Sequence, residues 1–250
     1  MSRVIAVCGK GGVGKTTVTA LLSRLLADGD NGRVLVVDAD PAIGLGLALS
    51  QFPDRSVNDV RKEIISTVKQ HSTDSVDLAA SVDYKLMEII METGQLGFLS
   101  VGRPEEEGCY CQLNTLLREA IETLSSHFDL TLIDAEAGVE QVNRRVMRSV
   151  SHLLLVSDTA LKGIRVAETI RDVADEAVKY RKLGLLINRA RSEEDFHSLA
   201  AKTDLPILGW IPEDDTVREF DIDARSFLEI PSCPALDAVR SYVMESDFLK

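Results

Sequence analysis

Short apolar runs alternate with longer stretches of helical period along this chain. Val4–Val7, Val34–Val37, Phe98–Val101, Leu130–Ile133, Leu153–Val156, Leu183–Ile187 and Leu208–Ile211 read as strands. Most of these runs lack a polar alternate position, which is the mark of a strand covered on both faces. Leu113–Leu124, Ile164–Val178 and Glu193–Ala201 instead repeat apolar residues at helical spacing, as do Val18, Leu21, Leu22, Leu25 and Leu26 just after the first strand. The alternation predicts an α/β fold: a mostly parallel central sheet with helices on both faces. No repeat, low-complexity tract or linker interrupts it, so residues 1–250 read as one domain. The stretch 52–107 is the least legible; within it, Val57–Val68 reads as a helix capped by Ser56 or Asn58. Pro104-Glu105-Glu106-Glu107-Gly108 reads as a solvated acidic loop, and Ala235–Lys250 is compatible with a helix.

The first strand and first helix are joined by Gly9-Lys10-Gly11-Gly12-Val13-Gly14-Lys15-Thr16-Thr17. Strand, glycine loop and helix N-terminus together direct backbone N–H groups at an anion. The run satisfies Gly-x-x-x-x-Gly-Lys-Thr, the phosphate loop of a P-loop NTPase. It also contains Gly-x-Gly-x-x-Gly (Gly9, Gly11, Gly14), and Asp38 ends the second strand at about the spacing of a ribose-binding acid. Lys15 and Thr16 decide between the two readings. A pyrophosphate held by backbone alone needs neither an ammonium nor a hydroxyl. In a magnesium-bound triphosphate the lysine reaches the β and γ phosphates and the threonine ligates the metal. The implied cofactors are therefore ATP/ADP and Mg²⁺, with Gly11 to Thr17 as the cradle.

Hydrolysis also needs an acid near the metal and a group that orients water. Leu130-Thr131-Leu132-Ile133-Asp134 is an apolar strand ending in an acid, the shape of a Walker B residue. Downstream, Gly138 is placed to offer a backbone N–H to the γ phosphate. Val37-Asp38-Ala39-Asp40-Pro41 supplies a second acidic strand end, from which Asp40 is the candidate catalytic acid.

Here the chain resembles a known class. Lys10 at the start of the loop is similar to the early lysine of the deviant phosphate loop in the MinD/ParA/nitrogenase-iron-protein ATPases. The resemblance implies that Lys10 reaches across a dimer interface to the partner's nucleotide, making a homodimer when nucleotide is bound. It implies that Asp40 in switch I handles the attacking water and that Asp134 opens switch II. It further implies that Asn188 and Arg189 read the adenine base while Pro212, Glu213 and Asp214 form the loop over it. Physically, a second ammonium is unfavourable beside Lys15 in an empty loop and favourable once a triphosphate arrives, so ligand would control dimerisation.

Charge and cysteine content narrow the client. Forty acids against 28 Lys and Arg give a net charge of −12, which disfavours phosphate backbones and anionic lipid. No nucleic-acid or membrane partner is expected, and the lack of a signal peptide or spanning run points to the cytoplasm. Cys109-Tyr110-Cys111 places two thiolates where both can face one soft metal, which is half of a tetrahedral site. A two-fold dimer would complete it with four, bridging Zn²⁺ or Ni²⁺ between subunits or holding an iron–sulfur cluster. Two free thiols in a turn remain the alternative.

The run Gly108–Arg118 and the segment Asp134–Glu140 resemble the CooC-type carbon monoxide dehydrogenase accessory proteins. That resemblance implies ATP-dependent nickel delivery to a client metalloenzyme, carbon monoxide dehydrogenase or, as in close relatives, acetyl-CoA synthase. Gln141 departs from the family's histidine, and Arg144-Arg145 follow it. An iron–sulfur redox protein and a MinD-like positioning ATPase are the rival functions. The histidines show no zinc-type spacing, Cys8 reads as a core residue, Cys233 has no evident partner and Trp210 reads as packing.

Overall fold

The computed structural model describes residues 3–29, 32–70, 75–103, 111–135 and 149–249. Its eight strands are β1 (Arg3–Gly9), β2 (Val34–Asp38), β3 (Met91–Thr93), β4 (Leu96–Ser100), β5 (Leu130–Asp134), β6 (His152–Ser157), β7 (Lys182–Ala190) and β8 (Ile207–Pro212). They form one sheet in the order β3-β4-β2-β5-β1-β6-β7-β8. All neighbours are parallel except β3, which turns back antiparallel on β4. This is the single-domain P-loop NTPase fold.

Successive side chains of a strand point to opposite faces, and the core divides accordingly. Ala6, Cys8, Leu35, Val37 and Ile133 pack under α3 (Val57–Gln70), α4 (Ser75–Glu88), α5 (Cys111–Ser125), α6 (Leu161–Ala177) and α7 (Glu193–Ala200). Ile5, Val7, Val36, Leu130 and Leu132 pack under α1 (Lys15–Asp28), α2 (Gly44–Leu49), α8 (Asp215–Ile222) and α9 (Pro234–Val239). Leu21, Leu22 and Leu26 make α1 a central helix of the second face, each at most 1% exposed. Burying three such side chains is worth about 1.5–3 kcal/mol apiece, so the phosphate loop is anchored at both ends by well-buried elements.

The seven expected strands are present with ends shifted by a few residues. The expected strand over Phe98–Val101 runs instead from Leu96 to Ser100, and the Val101 N–H makes the last bond to β2, at the Asp38 carbonyl, at 2.9 Å. β3 escaped the apolar pattern because all three of its residues are exposed. The single helix expected over 235–250 is broken after Val239 by a wide π turn over Arg240–Met244. That turn seats Tyr242 against Gly209, where a Cβ would lie 2.4 Å from the ring, while Val239 and Val243 both stay fully buried.

Asp214 organises this end of the molecule. Its side chain caps α8 by accepting from the Thr216 and Val217 N–H groups at 2.8 and 3.4 Å, and it accepts from the Ala235 N–H at 2.9 Å at the start of α9. Cys233, which the sequence left without a partner, donates its thiol to the same carboxylate. Burial alone would raise the Asp214 carboxyl; the donors from Ala235, Cys233, Thr216 and Val217 outweigh it and hold the group below the ordinary range. Asp214→Ala removes a cap and leaves the Ala235 donor short of a partner. It is expected to cost about 2 kcal/mol, read as a lower thermal midpoint. An unchanged midpoint would show that this hub carries no stability.

Candidate active site

β1 lies between β5 and β6, with Val7 opposite Asp134 and Gly9 opposite Val156. The chain therefore leaves the sheet at Gly9 in its middle, where strands diverge to helices on opposite faces, the usual ligand crevice of such sheets. The loop closes on Gly14, which caps α1 at φ 93°, a left-handed conformation. A Cβ there would lie 2.2 Å from Asn188 Nδ2, so only glycine fits. Asn188 Nδ2 donates to the Val13 carbonyl at 2.8 Å, and Arg189 Nη1 to the Gly12 carbonyl at 3.3 Å. The end of β7 thus supports the loop from outside. Gly11 and Gly12 have open space around them, consistent with backbone offered to a ligand.

Lys15 is only 7% exposed, and its Nζ lies 3.5 Å from the Lys10 carbonyl. Lys10 itself is partly exposed on the loop. Thr16 Oγ1 donates to Asp134 Oδ2 at 2.7 Å; Thr19, a residue the sequence gave no reason to single out, donates to Oδ1 at 3.3 Å. Thr17 faces a neighbouring cleft.

Asp38 and Asp134 are register partners across β2 and β5, and both are fully buried. Asp38 accepts from the Gly46 and Asp40 N–H groups at 3.1 and 3.2 Å. Burial pushes its carboxyl up to about 6, opposed by those donors and reinforced by the Asp40 charge. Burial likewise pushes Asp134 up to about 7, opposed first by the Thr16 hydroxyl and reinforced by the charge of Asp38. Sequence reasoning placed function on Asp40 and weighed Asp38 only as the ribose acid of the rejected dinucleotide reading; its place at the last position of an otherwise apolar strand was the available signal. Asp40 lies on the turn that follows, where its Oδ1 accepts from the Ala42 N–H at 2.9 Å. The turn leads into α2, whose Gly44 packs beside Thr16.

Two carboxylates and a hydroxyl converging beside a buried lysine form a hard-oxygen set. That donor chemistry suits a magnesium ion carried by a nucleotide, which would also relieve the two costly buried carboxylates.

Beside the loop is a cleft of about 240 Å³ lined by Thr17, Asn188, Arg189, Pro212, Arg218 and Asp221, among others. Asn188 and Arg189 fall at a bulge in β7, and Arg189 takes a left-handed φ of 57°. Glu213 and Asp214 line the cleft too, but Glu213 pairs with Arg191 at 3.0 Å and Asp214 holds α8 and α9. Cys109 and Gly138 lie outside the described residues. Cys111 is the first residue of α5. The chain entering the Cys109 segment is tied to the Asp40–Pro41 turn: Arg103 Nε donates to the Pro41 carbonyl at 2.7 Å, and Asn58 holds the Arg103 carbonyl. Cys8 is buried in the core, its thiol pushed up by burial to about 12. No described helix is long and apolar enough to cross a membrane, and no group of three metal-ligating residues occurs among the described residues.

Fold and loop define a P-loop nucleotide-binding ATPase. More narrowly, the chain belongs to the CobQ/CobB/MinD/ParA nucleotide-binding family, whose domain model matches residues 4–227. It is 34% identical over 235 residues to an uncharacterised ATP-binding protein of Methanocaldococcus jannaschii, covering 91% of each chain. It is 27% identical to the carbon monoxide dehydrogenase accessory protein CooC of Rhodospirillum rubrum, covering 92% of this chain and 91% of that one. Among solved structures it is similar to the septum site-determining protein MinD of Pyrococcus horikoshii in complex with Mg-ADP, with a TM-score of 0.70 and 27% identity over 99% of this chain and 96% of that one.

The raised carboxyls have a consequence for stability. Without nucleotide and magnesium, Asp38 and Asp134 bind protons more tightly folded than unfolded. Their contribution is fully present below the unfolded carboxyl value of about 4 and is lost as pH rises through about 6 and 7. The apo protein should melt at a lower temperature at about pH 8 than at about pH 5, and Asp38→Asn should flatten that dependence. Parallel pH profiles for parent and variant would contradict it.

Proposed function

We propose that this ATPase is a nucleotide-switched homodimer acting as a metallochaperone, delivering nickel to a carbon monoxide dehydrogenase or to the related acetyl-CoA synthase. The observation that carries the ATP chemistry is the Thr16, Asp134 and Asp38 cluster beside the buried Lys15. Magnesium, when bound with the nucleotide, would neutralise phosphate charge at Thr16 Oγ1 with Asp134 and Asp38 nearby. Lys15 holds the β and γ phosphates, and Lys10 of the partner subunit neutralises the same charge across the interface. Asp40 orients the attacking water, Gly138 offers a backbone N–H to the γ phosphate, and Asn188, Arg189 and Pro212 border the base. Glu213 and Asp214 shape that border through backbone, since their carboxylates are engaged elsewhere.

The client reading is supported by the likeness to CooC and by Cys109 and Cys111, whose four thiolates in a dimer would take up nickel or zinc as cargo. Arg103 supplies a physical route between the two sites, because any movement of the Asp40–Pro41 turn pulls on the segment that leads to Cys109. A second reading, a positioning ATPase without metal, is favoured by the likeness to MinD.

Three substitutions separate the parts. Lys15→Ala should weaken nucleotide binding by at least about 100-fold. Asp40→Ala should retain ATP binding and slow turnover by about 100-fold or more. Replacing Cys109 and Cys111 with Ala should abolish nickel and zinc uptake by the ATP-loaded protein while sparing nucleotide affinity, as measured by metal analysis after gel filtration. If the double cysteine variant holds as much metal as the parent, the chaperone reading is lost. If ATP-loaded parent elutes as a monomer, the switch is lost.

A further inference from the structure

The far end of the sheet carries a second concave site. β1, β6 and β7 all begin there, about 20 Å from the phosphate loop by strand rise. A cavity of about 530 Å³ opens between their first residues, the end of α5 and Leu249. Its lining includes Arg3, Lys179, Arg181, Lys182 and His152, against which Glu122 is the acid in the lining. This inverts the balance of a chain with net charge −12. Arg3 and Lys179 form no side-chain hydrogen bond or ion pair with the described residues, although 40 acids were available to pair them. Lys182 donates to the Asp247 carbonyl, which fixes its stem at the rim.

The cations come from separate elements and meet in one field. His152 senses it: burial first, then the charges of Lys182, Arg3 and Arg181, hold its ring below the ordinary imidazole range, with the Phe248 carbonyl opposing. Ser151 accepts the Val4 N–H at 2.7 Å and contacts His152 Nδ1 at 2.7 Å, so the floor is rigid and hydrogen-bonded. Tyr180 and Leu249 add apolar wall.

We propose that this cavity binds a small soluble polyanion bearing two or more phosphate groups, at a site separate from the ATP cradle. The Arg3 guanidinium fork suits phosphate oxygens, and Lys179 and Lys182 add two further cations to the same lining. The cavity is ligand-sized, and the chain's net charge of −12 disfavours an anionic membrane.

The test is calorimetric titration of inorganic pyrophosphate into the full chain saturated with ADP, so that the phosphate loop is already filled. Saturable binding is expected, at least tenfold weaker in Arg3→Ala/Lys179→Ala, whose altered side chains are both exposed. In the parent, the His152 imidazole resonances should move on adding pyrophosphate while those of His197 stay in place. The variant should keep the parental ATPase rate. Absence of saturable binding, equal affinity in parent and variant, or unmoved His152 resonances would each overturn the site. Co-sedimentation with phosphatidylglycerol vesicles that the double variant loses would assign the cavity to a membrane and overturn the soluble ligand.

Discussion

The structure turns on the burial of two carboxylates at adjacent strand ends. Asp38 and Asp134 sit side by side, without solvent, at the point where the phosphate loop leaves the sheet. Such a pair is expensive in a low-dielectric interior unless neutralised, and the protein offsets only part of the cost with backbone N–H groups and two threonine hydroxyls. The remainder is a standing demand for positive charge. Lys15 answers it in part, and a metal–nucleotide complex would answer it in full. Affinity for ligand is in this sense stored as instability of the empty site.

The same pair explains how distant segments can feel the nucleotide. Asp38 binds the N–H groups of Asp40 and Gly46, so the turn between them and the start of α2 are suspended from one carboxylate. Arg103 fastens the chain beyond β4 to that turn through the Pro41 carbonyl. Any change in how Asp38 is neutralised therefore acts on the turn and on the path toward the cysteine segment. On the other flank, Asn188 and Arg189 brace the carbonyls of Val13 and Gly12, which couples the neighbouring cleft to the loop. The far cavity shares strands β1 and β6 with the loop but none of these hydrogen bonds.

Much of this was legible before any coordinates. Val4–Val7, Val34–Val37 and Leu153–Val156 are continuous apolar runs because they are covered on both faces, and that burial leaves an unambiguous trace in residue type. Gly14 and Lys15 were equally plain, since the loop's geometry admits few alternatives. β3 was invisible: an exposed three-residue edge pairs through backbone alone. The break in the C-terminal helix was also hidden, because it depends on Tyr242 finding Gly209 across 33 positions of sequence.

Residue order alone therefore determined the layered fold, the phosphate cradle and the strand-end acids, all of which follow from local chemistry and periodicity. Only the folded chain decided how those acids behave. Register across β2 and β5 made Asp38 the neighbour of Asp134; packing removed their water; and the cap and donor at α8 and α9 consumed Asp214, which sequence had set aside for the base. Electrostatic cost and hydrogen-bond commitment depend on which groups meet in space, and residues distant in the chain meet only when the sheet is assembled.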